Sequence, residues 1–138
     1  MDEPKVIVDT NILFSFLVSG RASRRKRLLT QPGWIWYCPR QILVELFKHK
    51  ERIAAASSLS GDDLLSCLSE ALARVRFIDE SIIPIGTWME ARRLCGDVDP
   101  KDTPFVALAL HLEGTLWTDD ETLKSGLQAK GFNSFFVE

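Results

Sequence analysis

Four carboxylates stand where residue type and neighbourhood could do chemistry. Asp9 follows the apolar run Val6-Ile7-Val8, and Asp120 closely follows Leu116-Trp117. Asp102 precedes Thr103-Pro104, a pair suited to the first turn of a helix. Glu45 lies within Ile42-Leu43-Val44-Glu45-Leu46-Phe47, where an ionised carboxylate is costly unless a cation or donor compensates it. Carboxylates pooled in one crevice repel each other, which is tolerable only with a bound divalent cation or with some of them protonated. All-oxygen ligation of this kind favours Mg²⁺ or Mn²⁺ over zinc. Taken singly, each acid also has a plain structural role: Asp9, Asp102 and Asp120 can cap helices, and Glu45 can face solvent.

The elements that must bring these acids together are legible in outline. Lys5–Val8 is a short β-branched run that reads as a strand buried on both faces. Asp9-Thr10-Asn11 then caps a helix through Ile12–Val18. Ser23–Leu29 reads as a short basic helix, and Trp34–Tyr37 as a second strand ended by Pro39. From Pro39, Ile42, Leu43, Leu46, Phe47, Ile53 and Ala54 recur at the spacing of one long helix. A further helix starts at Ser60, with Leu64, Leu65, Leu68, Leu72 and Val75 as its buried stripe. Arg76–Asp79 reads as a strand, and Ser81–Cys95 as a third long helix with Pro84 in or just ahead of its first turn. Thr103 to about Glu113 is a helix, Thr115–Trp117 a strand, Glu121–Lys130 a helix and Ser134–Val137 a terminal strand. Strands alternating with helices predict an α/β layer sandwich with a mostly parallel sheet and right-handed crossovers. In such a sheet, residues just past the carboxyl ends of the strands share one crevice. Asp9, Asp102 and Asp120 fall there.

Composition bounds the rest. A chain of 138 residues matches the roughly 100–150 typical of one domain, so residues 1–138 are read as a single domain. With 46% hydrophobic and 26% charged residues, disorder and coiled coil are excluded. No apolar run approaches the ~18–20 residues of a membrane span, and no secretory signal is visible. Cys38, Cys67 and Cys95 are widely spaced and odd in number, which fits buried thiols in a reducing, cytoplasmic setting. The net charge of −2 hides an asymmetry: residues 1–52 carry 10 Lys/Arg against 5 Asp/Glu, and residues 53–138 carry 7 against 14. A polyanion-binding region beside a cation-binding one would produce that split.

Val8-Asp9-Thr10-Asn11-Ile12-Leu13, then Glu45 in a helix, then Asp102 ahead of Thr-Pro-Phe-Val-Ala-Leu-Ala-Leu, then Trp117-Thr118-Asp119-Asp120 resemble the PIN domain, in order and spacing along essentially the whole chain. The resemblance implies a three-layer α/β/α sandwich with a Rossmann-like sheet. It also implies a metal-dependent ribonuclease, of the kind found in VapC-type toxins of toxin–antitoxin pairs and in stand-alone prokaryotic PIN proteins. Carried over, the four acids fall on Asp9, Glu45, Asp102 and Asp120, and Asn11 and Thr118 occupy the usual supporting polar positions. Asp9, Asp102 and Asp120 would hold Mg²⁺ or Mn²⁺, with Glu45 and Asp119 as further candidate ligands. Glu45 would alternatively orient or deprotonate the attacking water. Carboxylate-held cations suit phosphodiester hydrolysis, because they activate water and neutralise charge on the phosphoryl oxygens. The resemblance implies products with a 5′-phosphate and a 3′-hydroxyl. An antitoxin partner and a homodimer are further expectations of the same kind.

Asp97 and Asp99 read either as supporting groups for that site or as a solvated acidic turn. Arg21, Arg24, Arg25, Lys26 and Arg27, together with Lys48, Lys50 and Arg52, could bind phosphates flanking the scissile bond, or an acidic protein instead. Trp34, Trp36 and Tyr37 could stack bases, but their place in a strand favours the core. His49 lies one turn after Glu45 and reads as salt-bridged or exposed; His111 reads as structural. No Gly-x-Ser-x-Gly or phosphate-binding loop motif is present. The alternatives to an enzyme are a non-catalytic PIN-like module for RNA binding or assembly, and a receiver-like Mg²⁺-binding signalling domain. The second lacks the lysine it would need after the late strand.

Overall fold

The computed structural model describes residues 4–19 and 28–137. Four parallel strands, β1 (Lys5–Val8), β2 (Ile35–Pro39), β3 (Val75–Ile78) and β4 (Thr115–Trp117), form one sheet in the order β3-β2-β1-β4. Val6, Ile7 and Val8 are fully buried, as a β-branched strand covered on both faces requires. The chain steps outward from β1 to β2 to β3 and then returns to the other side of β1 for β4. Right-handed crossovers in opposite directions place their helices on opposite faces. One layer comprises α1 (Thr10–Ser19), α2 (Gln41–Lys48), α3 (Lys50–Ala56) and α4 (Gly61–Arg74), with α1 packed on the other three. The second comprises α5 (Ile85–Cys95), α6 (Thr103–Leu112) and α7 (Glu121–Ala129), in which α5 packs on α6 and α7, and α6 lies against β1, β2 and β4. The expected three-layer α/β/α architecture is the observed one.

Several expectations needed correction. The single helix expected from Pro39 to Ala54 divides at His49, whose φ of −107° and ψ of 13° leave helical geometry and cap both α2 and α3. The apolar spacing runs on through the break, so periodicity carries no sign of it. The helix expected from Ser81 begins instead at Ile85. Pro84 holds Ile83 extended (φ −75°, ψ 125°), as a residue before proline prefers, and Glu80–Ile82 forms only a 3₁₀ turn. The terminal strand shrinks to one parallel bridge between Leu116 and Phe135. On α4 the buried positions are Cys67 and Ala71, whereas Leu65 is exposed. Leu64, Leu65, Leu68 and Leu72 instead line an open apolar groove of about 300 Å³ shared with α2 and α3.

Trp36 and Trp117 are buried with ring centroids 5.5 Å apart, and Phe136 closes on both at 5.7 and 5.0 Å. Trp34 packs edge-on against Phe136. Tyr37 is also buried, so these aromatics belong to the core. All three cysteines are buried and free. Among the described residues, no helix is long and apolar enough to cross a membrane.

Candidate active site

The reversal of strand order lies between β1 and β4, and their carboxyl ends open one crevice there. Asp9 is the residue after β1. Its backbone N–H donates to the Trp117 carbonyl at 3.0 Å, which fixes it against the end of β4. Its carboxylate accepts the backbone N–H groups of Thr10 and Asn11 at the start of α1. The Thr118 hydroxyl, 1% exposed, donates to Asp9 Oδ2 at 2.7 Å and accepts the Asp120 backbone N–H at 3.1 Å. One buried hydroxyl thus ties together two acids that follow neighbouring strands. Burial pushes the Asp9 carboxyl up, as does the charge of Asp120, while the Thr118 and backbone donors pull it down.

Asp102 occupies the N-cap position of α6, yet its side chain makes no cap bond. It is half-buried near other acids, and burial, followed by the charges of Asp9, Asp99 and Asp120, pushes its carboxyl up to about 7. Asp120 does cap α7: Oδ1 accepts the Leu123 N–H at 3.0 Å, and a carboxylate keeps a second oxygen for another partner. One carboxylate oxygen from each of Asp99, Asp102 and Asp120 lies within 4.8 Å of the others.

Asp9, Asp99 and Asp102 line a cleft of about 480 Å³ whose opposite wall is α2, and Asp120 stands beside it through its cluster with Asp99 and Asp102. Asp9, Asn11, Glu45, Lys48, His49, Asp99, Lys101, Asp102 and Phe105 all face it. Glu45 is half-buried on that wall, with Oε2 3.5 Å from His49 Nε2. His49 thus pairs with Glu45, and its ring also meets Phe14 edge-on at 6.2 Å.

The structure brings Asp9, Glu45, Asp102 and Asn11 to one cleft, with Asp120 clustered beside Asp102 and Thr118 hydrogen-bonded to both Asp9 and Asp120. It does not bring every candidate there. Asp119 is exposed on the β4–α7 turn, outside the three-acid cluster. Asp97 faces away and pairs with Lys130, whose ammonium also donates to the Arg93 carbonyl at 3.0 Å. Arg52 is exposed and absent from the cleft lining, and Lys50 lines the apolar groove instead. Arg21, Arg24, Arg25, Lys26 and Arg27 lie outside the described residues. Two further residues face the cleft: Lys101, which nothing in the sequence pattern marks, and Asp99, which the sequence leaves open between a supporting group and a solvated turn. For Asp99, the Asp99-Pro100-Lys101-Asp102 spacing is the available signal.

The donor set fits a hard divalent cation. Three carboxylates converge, a fourth is buried beside them, and among the described residues no Lys or Arg is ion-paired with Asp99, Asp102 or Asp120. A stability prediction follows from Asp102. Its folded carboxyl titrates near 7 and an unfolded one near 4, so the folded state binds the extra proton in between. Stability of protein stripped by EDTA therefore falls as pH rises from about 4 to about 7. Thermal melts in EDTA should give a lower Tm at pH 8 than at pH 5, and Asp102→Asn should shrink that difference. Equal Tm responses in both proteins would contradict the crowding of these acids.

A family model described as the PIN domain matches residues 7–135. Among solved structures, the crystal structure of VapBC2 from Rickettsia felis, bound to a DNA fragment from their promoter, superposes with a TM-score of 0.64 at 18% identity. That alignment covers 97% of each chain and attests the shared fold. No curated protein matches the sequence significantly. With the acids of its β1 and β4 ends gathered at the switch point of a parallel sheet, and with the family model spanning nearly its full length, this chain belongs to the PIN domain family.

Proposed function

We propose that the chain is an Mg²⁺- or Mn²⁺-dependent endoribonuclease and the toxin of a type II toxin–antitoxin pair. The observation that carries this reading is the convergence of Asp9, Glu45 and Asp102 on one open cleft with Asp120 clustered beside Asp102, and among the described residues no basic side chain is ion-paired to the three aspartates. Asp9, Asp102 and Asp120 would hold the cation, which supplies an activated water and charge neutralisation at the phosphoryl group. Glu45, on the facing wall, orients the attacking water or accepts its proton. Asn11 at the rim and Thr118 below support Asp9. The Rickettsia felis VapBC2 shares this fold, and the proposal gives this chain an antitoxin partner of the VapBC kind. A homodimer in the cytoplasm completes the reading, with sedimentation velocity as the check on mass.

Lys48 of α2 and Lys101 of the Pro100–Asp102 turn line the cleft from its two sides and would contact substrate phosphates. Lys48→Ala and Lys101→Ala should each weaken RNA binding and reduce the slope of log affinity against log salt by about 0.7 for a single strand. Arg52→Ala, outside the cleft, should have the smaller effect. Slopes unchanged in both lysine variants would remove them from the RNA path.

The competing reading is a PIN-like module that binds RNA without cutting it. Incubating a single-stranded RNA with the purified chain, with Mg²⁺ or with EDTA, separates the two. Fragments only with the cation support the nuclease; retention of intact RNA in a mobility shift under both conditions supports the module.

A further inference from the structure

We propose that Asp99 is a further ligand of the divalent cation, joining Asp102 and Asp120 from the turn ahead of α6. The inference rests on the reading above and adds a carboxylate beyond the four acids marked by the family resemblance.

Placement comes first. Asp99 caps the 3₁₀ turn Pro100–Asp102: its Oδ1 accepts the Lys101 N–H at 3.1 Å, and its carbonyl accepts the Asp102 N–H at 3.1 Å. The turn between them is short, and carboxylate oxygens of Asp99 and Asp102 lie within 4.8 Å of each other. Val98, immediately before, presses on α7 at Gly126, where a Cβ would sit 2.5 Å from Val98 Cγ2. Only glycine allows that approach, and it ties the turn to the helix that Asp120 caps. The two segments supplying the three acids are therefore held together by the Val98 side chain packed on Gly126.

The distances then suit a shared ion. Oxygens about 2.1 Å from one Mg²⁺ are separated by roughly 3–4 Å, depending on whether they are adjacent or opposite. The three aspartate oxygens lie within 4.8 Å of one another, and since three ligands of one octahedral ion include at least two adjacent pairs, a contraction of up to about 2 Å would place them around one cation. Asp119, although next to Asp120 in sequence, is exposed and outside that group. Asp97, two residues before Asp99, is engaged by Lys130. Position in the fold, not local acidity, therefore selects Asp99.

Asp99→Asn is the informative change, because asparagine keeps the oxygen that caps Lys101 while removing the charge. Asp97→Asn removes an equal charge from the same loop without touching the cluster. Isothermal titration of EDTA-stripped, dialysed protein with Mn²⁺ should show affinity at least ~10-fold weaker for Asp99→Asn than for wild type. Asp97→Asn should stay within about twofold of wild type. Asp99→Ser, which also retains a turn-capping oxygen, should repeat the loss, and melts in EDTA check that both variants fold. Equal Mn²⁺ affinity for wild type and the Asp99 variants overturns the assignment of Asp99 while leaving the nuclease reading standing. Wild type that binds no Mn²⁺ overturns both.

Discussion

Asp9→Asn should slow RNA cleavage by at least ~10³-fold without unfolding the protein. That factor corresponds to about 4 kcal/mol of transition-state stabilisation, the scale expected when a charge central to a carboxylate-held metal site is removed. Asp9 is 5% exposed, at the point where β1, β4 and the start of α1 meet, with the like charges of Asp120 and Asp102 nearby. Asparagine has the same shape, its oxygen can still accept the Thr10 and Asn11 N–H groups, and its NH2 can donate to the Thr118 hydroxyl, so the substitution removes the negative charge at the cost of reversing one hydrogen bond. Burial already penalises that charge, which makes the neutral variant no less stable in EDTA. Single-turnover cleavage at saturating Mg²⁺, with melts of both proteins, measures the effect. A variant that cleaves at the wild-type rate would remove Asp9 from the site.

Thr118→Val should cost both activity and stability, because one hydroxyl serves two acids. Valine fills nearly the same volume at a 1% exposed position, so packing is preserved and only the hydrogen bonds are lost. Asp9 Oδ2 loses its donor and the Asp120 N–H loses its acceptor. A buried polar group left unpaired costs about 1–3 kcal/mol. Loss of a residue that orients a ligand lowers activity by roughly 10–100-fold. Thr118→Ser keeps the hydroxyl and should recover most of the activity. Urea denaturation and kcat for the pair decide the matter: valine and serine variants of equal activity would show that the hydroxyl does not orient Asp9.

The parts of this arrangement that were legible in the sequence share a physical cause. Val6–Val8 and Leu116–Trp117 are strands whose burial on both faces demands continuous apolar runs, and an acid that ends such a run sits at the carboxyl edge of the sheet. The parts that were not legible depend on tertiary contacts. His49 interrupts a helix whose apolar spacing continues through it, and Phe14 and Glu45, the groups it meets, are distant or uninformative in the local pattern. The leucines of α4 have helical spacing, but spacing does not say whether a facing element covers them, and here they border a groove. Asp99 and Asp97 look alike in an acidic turn. What separates them is the approach of Gly126 to Val98 and the reach of Lys130, neither of which is a local feature. The basic half of the chain is only partly accounted for: Lys48 faces the cleft, joined there by Lys101 from the acidic half, while Arg52 does not.

The central claim is that water, activated at a cation held by this acidic cleft, cuts the RNA backbone. It is tested most directly with an RNA carrying a single 2′-deoxynucleotide on the 5′ side of a mapped cleavage site. Hydrolysis by an external water does not use the 2′-hydroxyl. The account predicts that this substrate is cut in Mg²⁺ at a rate close to that of all-ribose RNA, leaving 3′-hydroxyl and 5′-phosphate ends, and that EDTA stops the reaction. Cleavage that persists in EDTA, or that ends in a 2′,3′-cyclic phosphate and vanishes on the deoxy substrate, would contradict it.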